Sequence, residues 1–137
     1  MSDGRGPLEI EVIGLERLGR SGPPLEEIER LCERALAAAG VRDGHLAVEF
    51  VDAARIRALN RRHRGRDEAT DVLSFGIDEA GECVGPRELG DIVICPERTV
   101  DLREAIVHGA LHLAGMDHER DRGEMLALQT ELLRAGP

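Results

Sequence analysis

Aromatic residues are almost absent from this chain of 137 residues: Phe50 and Phe75 stand alone, with no Trp and no Tyr. The core must be built from Leu, Ile, Val and Ala. Base stacking on aromatic platforms, the usual device of single-strand nucleic-acid binders, is scarcely available. Lysine is missing altogether, so all 18 basic residues are Arg. Cys32, Cys83 and Cys95 are odd in number, scattered and form no C-x-x-C. That pattern argues against a disulfide frame or a cysteine zinc site and fits reduced thiols in a cytoplasmic protein. There is no run of 18 apolar residues and no apolar N-terminal segment, so neither membrane spanning nor secretion is expected.

What is present is ordinary in bulk. With 42% hydrophobic and 33% charged residues, residues 1–137 are expected to form one domain with a real core. The net charge of −9 argues against a generally basic nucleic-acid coat. Its distribution differs locally: Arg55, Arg57, Arg61, Arg62, Arg64 and Arg66 crowd into a dozen residues. One reading is a solvated helix face balanced by Asp52, Asp67 and Glu68. The other is a phosphate-binding patch, since guanidinium groups offer planar, bidentate donors.

The periodicity yields eight elements. Leu8 to Val12 alternates as a half-exposed strand, and Ser21-Gly-Pro-Pro24 opens a helix carried by Leu25, Ile28, Leu31, Cys32, Ala35 and Leu36 and stopped by Gly40. His45 to Val51 reads as a strand. Asp52 is placed to cap a helix running to about His63 and ending near Gly65. Val72 to Phe75 and Leu89 to Cys95 read as strands separated by a Gly/Glu-rich loop over 76–88. A helix from Asp101 to about Ala114 and another from about Arg122 to Arg134, with Met125, Leu128, Leu132 and Leu133 inward, complete the chain. The order β-α-β-α-β-β-α-α predicts an α+β fold, a single mixed sheet of about four strands covered by helices.

Three of the five histidines lie in His108-Gly-Ala-Leu-His112-Leu-Ala-Gly115-Met-Asp-His118. His108 and His112 are four apart and share one helix face. Gly115 can end that helix in a left-handed conformation and let the chain return His118 to the same point. Three converging imidazoles leave a tetrahedral zinc ion with one open position, as in catalytic sites. Lone helical histidines are ordinarily packed or solvated, but three at ligand spacing in an apolar helix would be costly to bury unsatisfied. Their outer nitrogens should meet carboxylate or backbone oxygens, with Asp117 and Glu119 nearby. His45 and His63 lack this context and read as surface residues. The spacing matches the zinc-protease signature H-E-x-x-H-x-x-G-x-x-H, except that the glutamate serving there as general base is Gly109 here.

A second group is Thr70-Asp-Val-Leu-Ser-Phe75, in which Thr70 and Asp71 alone would only cap a turn. Taken together, Asn60…Arg64-Gly-Arg…Thr70-Asp-Val-Leu-Ser-Phe75, Leu89-Gly-Asp-Ile-Val-Ile94, the histidine segment and Met125…Gln129 closely resemble the YbeY family, bacterial single-strand-specific metallo-endoribonucleases of ribosomal RNA maturation and quality control. The resemblance runs in order through residues 46–133. It implies zinc, one ion per chain, on His108, His112 and His118, with Arg64 as the functional arginine facing the metal groove. It also implies action on 16S ribosomal RNA and ribosomal proteins as partners.

Three departures stand out against that family. Ala69 replaces the usual Pro, Met116 replaces the usual Tyr, and the segment between Cys95 and His108 is shorter, implying a truncated helix beside the groove.

The expected chemistry is metal-assisted hydrolysis of RNA phosphodiesters, with Arg64 holding the phosphate and stabilising its developing charge. Asp71 is the candidate general base and Asp117 a further candidate at the site; alternatively the substrate's own 2′-hydroxyl attacks. The rival readings are a zinc peptidase or amidase, disfavoured by Gly109, and a ribosome-associated binding protein whose metal is structural.

Overall fold

The computed structural model describes residues 8–76 and 88–135. Its strands are β1 (Leu8–Ile13), β2 (Gly44–Phe50), β3 (Val72–Gly76) and β4 (Glu88–Ile94). They form one sheet in the order β1-β2-β4-β3. β1, β2 and β4 run parallel, while β3 pairs antiparallel with β4, Val72 opposite Ile94 and Gly76 opposite Gly90. The helices are α1 (Leu25–Ala38), α2 (Ala53–Arg64), α3 (Leu102–Leu113) and α4 (Glu124–Arg134). The expected element order and mixed sheet are those observed. Two 3-10 segments, Leu15–Ser21, broken at Gly19, and the single turn Pro96–Arg98, occupy connections that the periodicity did not mark; short 3-10 pieces are common connectors. The loop expected over 76–88 lies, apart from its ends, outside the described residues, as does Cys83.

The side-chain alternation of the strands divides the sheet into two unlike faces. On one, Leu46, Val48, Phe50, Ile92 and Ile94 meet Ile28, Leu36, Ile106, Val107 and Leu111 of α1 and α3 in the main core. Met125 of α4 is fully buried in the same cluster, while Leu128, Leu132 and Leu133 pack at its margin. On the other face, α2 covers only part of the sheet, setting Ile56 and Leu59 on Leu73, Val93 and Cys95. The uncovered part of that face carries His45, whose ring nitrogens lie 3.0 Å from Glu88 and 3.1 Å from Glu11. His45 thereby ties three neighbouring strands together, in the surface role expected of it.

Local signals in the sequence set the helix ends. The Asp52 carboxylate accepts from the Arg55 N–H at 2.8 Å, and Gly65 closes α2 with φ +71°. The Asp101 carboxylate accepts from the Glu104 N–H at the start of α3. Between α1 and α3, the Arg103 guanidinium donates to the Glu27 carboxylate, which is only 8% exposed. That hydrogen bond holds the Glu27 carboxyl below its usual range, against the opposing effect of burial. Cys32 and Cys95 are free and buried, and burial pushes the Cys32 thiol up to about 12.

Candidate metal centre

The last turn of α3 ends as the glycine spacing predicts. Gly115 takes φ +103°, its N–H donates to the His112 carbonyl, and the Met116 N–H donates to the Leu111 carbonyl, both at 3.0 Å. This double closure is a Schellman cap, which satisfies carbonyls left open at the helix end and reverses the chain. His118 is returned by it to the face of His108 and His112. The three ring centroids stand 4.7, 5.0 and 5.1 Å apart, nearly an equilateral triangle, with ring planes inclined by 61–76°. Their ligand atoms lie within 4.8 Å of one another, so the group could hold a metal ion.

The outer nitrogens show how the rings are aimed. His112 Nδ1 lies 3.1 Å from the Met116 carbonyl oxygen, which can only accept, so Nδ1 carries the proton and Nε2 keeps its lone pair. His108 Nδ1 lies 2.8 Å from Oε1 of Gln129 on α4. His118 Nδ1 is buried without a hydrogen-bond partner among the described residues. Burial first, and then the neighbouring His108 and His118, hold His112 below its ordinary pKa. His112 therefore favours neutral imidazole, the form in which histidine binds metal. Three imidazole donors at ligand spacing, with His112 held neutral, fit a borderline divalent cation such as zinc.

Asp117 and Glu119 do not hold the outer nitrogens. The Asp117 carboxylate instead accepts from the Glu119 N–H at 3.0 Å and pairs with Arg120 at 3.6 Å, stabilising the turn itself. Gln129 and the Met116 carbonyl do the orienting. Gln129 is a buried polar residue on the inward stripe of α4, 8% exposed beside Met125. A glutamine on an apolar stripe was a readable signal, and its role was not drawn from the sequence. Met116, the departure from Tyr, contributes through its backbone.

Gly109 has a structural reason that the protease comparison hid. A Cβ at this position would stand 2.6 Å from Ile92 Cγ2 and 3.1 Å from Cγ1. The residue after His108 therefore faces β4 in the core, not the histidines, and a glutamate there would be buried against Ile92. The missing base reflects a helix packed closely on its sheet.

The triad opens into a cleft of about 840 Å³ bounded by α3, its following turn, β3 and the Pro96–Arg98 turn. Arg64 and Asp71 both line it. Arg64, exposed at the end of α2, makes no ion pair with the described residues, whereas Arg57 is spent in a bidentate pair with Asp67 at 2.8 and 3.1 Å. Within the arginine cluster, Arg57 is thus balanced on the surface while Arg64 lines the cleft. Asn60 is buried and donates to the Glu68 carbonyl at 3.0 Å, folding the 65–68 loop back toward β3. Asp71 Oδ1 accepts from the Val72 N–H at 2.9 Å and from the Thr70 hydroxyl at 3.2 Å, the turn-capping role its position allowed. His63 packs on Phe75, ring centroids 4.7 Å apart, and takes no part in the triad.

The family model of endoribonuclease YbeY matches residues 23–136. The chain belongs to the YbeY family. It is 42% identical over 130 residues to endoribonuclease YbeY of Bacillus cytotoxicus, covering 79% of this chain and 83% of that protein. To endoribonuclease YbeY of Rubrobacter xylanophilus it is 40% identical over 136 residues, covering 94% and 96%. The solution structure of TM1509 from Thermotoga maritima has the same fold, with a TM-score of 0.54 and 27% identity over 93% of each chain. No helix among the described residues is long and apolar enough to cross a membrane.

Proposed function

We propose that this YbeY-family chain is a zinc-dependent, single-strand-specific endoribonuclease of ribosomal RNA, acting in 16S maturation and ribosome quality control in the cytoplasm. That it is an endoribonuclease, a hydrolase acting on RNA, follows from its family. The observation that carries the finer reading is the placement in one cleft of three metal-competent imidazoles and an arginine with no ion pair among the described residues.

His108, His112 and His118 would hold the zinc ion, which when bound supplies Lewis acidity to a phosphoryl oxygen and lowers the pKa of water to about 7. Gln129 and the Met116 carbonyl hold two of the rings in the required orientation. Arg64 donates to the scissile phosphate and stabilises the charge that grows on it in the transition state. Asp71 accepts the nucleophile's proton, its Oδ2 being left for this because Oδ1 already takes two hydrogen bonds. Asp117 acts on the site through the turn that carries His118.

The net charge of −9 weakens general attraction to RNA, so a protein partner is needed to localise the enzyme. Ribosomal proteins fill that role in this reading. The test is cleavage of one RNA sequence, single-stranded and as a duplex, by chelator-stripped and zinc-restored protein. Zinc-dependent cutting of the single strand alone is expected. Equal cutting by the stripped protein, or of the duplex, would contradict the proposal.

A further inference from the structure

The cleft has a second arginine that the proposed chemistry has not used. Arg98 ends the short turn Pro96–Arg98 and lines the cleft from the side of that turn, whereas Arg64 enters from the end of α2. Its backbone is firmly held. The Arg98 N–H donates to the Cys95 carbonyl at 3.0 Å, and the Thr99 hydroxyl donates to the same oxygen at 2.7 Å. The Cys95 N–H in turn donates to the Asp71 carbonyl at 2.8 Å, fastening the turn to the entrance of β3.

Charge makes this residue informative. Asp71, Asp101, Glu104, Asp117 and Glu119 all line the cleft, against two cationic side chains, Arg64 and Arg98. An exposed arginine on an acidic wall would ordinarily be neutralised by a neighbour. Arg98, like Arg64, makes no ion pair with the described residues. Three of the carboxylates are instead engaged by backbone N–H groups: Asp71 by Val72, Asp101 by Glu104 and Asp117 by Glu119. A polyanion entering this cleft meets strong local repulsion, and one arginine at the reacting phosphate leaves the adjoining phosphates without a counter-charge.

Arg98 also lines a second groove of about 430 Å³, whose Arg57 is already paired with Asp67. It is the one residue shared by that groove and the metal cleft. We propose that Arg98 is a binding residue for a non-reacting phosphate of the RNA strand, steering the chain out of the metal cleft into the groove beside α2. This inference rests on the endoribonuclease reading of the same cleft. Arg64 serves the phosphate that is cut, and Arg98 serves a neighbour, so the two residues should separate kinetically. Binding contributed equally to ground state and transition state appears in KM, whereas a contact that strengthens only in the transition state appears in kcat.

The experiment measures steady-state cleavage of a labelled single-stranded RNA by the zinc-loaded protein. In parallel, the chelator-stripped protein binds the same RNA, read by fluorescence anisotropy across a range of salt. Arg98→Ala is expected to raise KM about tenfold more than it lowers kcat. It should also flatten the slope of log affinity against log salt by about 0.7, the value for one phosphate contact on a single strand. Arg98→Lys should recover the salt slope. Arg20→Ala, an exposed arginine outside the cleft, controls for the change in net charge. Wild-type KM and salt slope in a folded Arg98→Ala variant would overturn the proposal while leaving the cleavage reading intact, as would equal effects of Arg20→Ala. Absence of RNA cutting by the zinc-loaded wild type would instead remove the parent reading.

Discussion

Gln129 of α4 places its side-chain oxygen 2.8 Å from Nδ1 of His108 on α3. A buried amide thereby fixes a ring on another helix, leaving Nε2 of that ring for a ligand. The two residues are 21 apart in sequence, so the site depends on the docking of α4 as well as on the histidine motif. Residues that orient a ligating histidine are typically worth 10- to 100-fold in metal affinity. Gln129→Met keeps the volume and removes the acceptor. It is expected to weaken zinc binding by about that factor in a chelator competition, with the circular dichroism spectrum unchanged. Unaltered zinc affinity would show that the hydrogen bond does not orient the ring for metal.

Gly109 is predicted to tolerate no side chain. Alanine would gain up to about 1 kcal/mol in helix propensity, but overpacking a filled core costs about 1–3 kcal/mol, and Ile92 Cγ2 would stand 2.6 Å from the new methyl. The net cost of about 1–2 kcal/mol should lower the Tm of Gly109→Ala by about 3–8 °C in thermal unfolding, at roughly 3–4 °C per kcal/mol for a chain of this length. A stability equal to wild type would mean that α3 can lift from β4 freely. Gly109→Glu, which restores the protease signature, should unfold more easily still and show no peptidase activity.

His45 makes stability depend on pH in a defined direction. The Glu88 hydrogen bond raises its pKa most, burial opposes it, and Glu11 adds to the rise. Asp91 faces the same cluster, its carboxyl raised by burial and then by Glu88. A histidine whose folded value exceeds its unfolded value of about 6.5 contributes full stability below that pH, lost as pH rises through the folded value. In metal-free protein, the difference in urea midpoint between wild type and His45→Gln should be larger at pH 5.5 than at pH 9. Taking the difference cancels the titration of the histidine triad, which is common to both. A gap that widened with pH would show that the cluster does not charge His45.

The sequence was most legible where a single local signal decides the structure. Gly115 and Gly65 ended their helices with positive φ, and Asp52 capped its helix, because these preferences need no distant partner. The spacing of His108, His112 and His118 made their convergence legible for the same reason. The roles of Gln129 and Arg98 were not legible, because each is acquired only when separate elements are brought together, even though a glutamine on the apolar stripe of α4 was itself a visible signal. The meaning of Gly109 depended on Ile92 across the α3–β4 contact, which no periodicity reveals. The arginine cluster looked uniform in sequence, and Arg57 and Arg64 were told apart only when Asp67 took the one and the end of α2 placed the other in the cleft.

The most direct test of the account is the rate at which zinc-loaded wild type, His112→Ala and Arg64→Ala cut a single-stranded RNA, with zinc content measured on the same samples. His112→Ala should lose most of its bound zinc and nearly all cleavage. Arg64→Ala should keep its zinc and lose about 100-fold or more in kcat, the scale of removing one transition-state charge stabiliser. Cleavage at the wild-type rate by folded, zinc-free His112→Ala would contradict the assignment of the histidine triad as the catalytic centre.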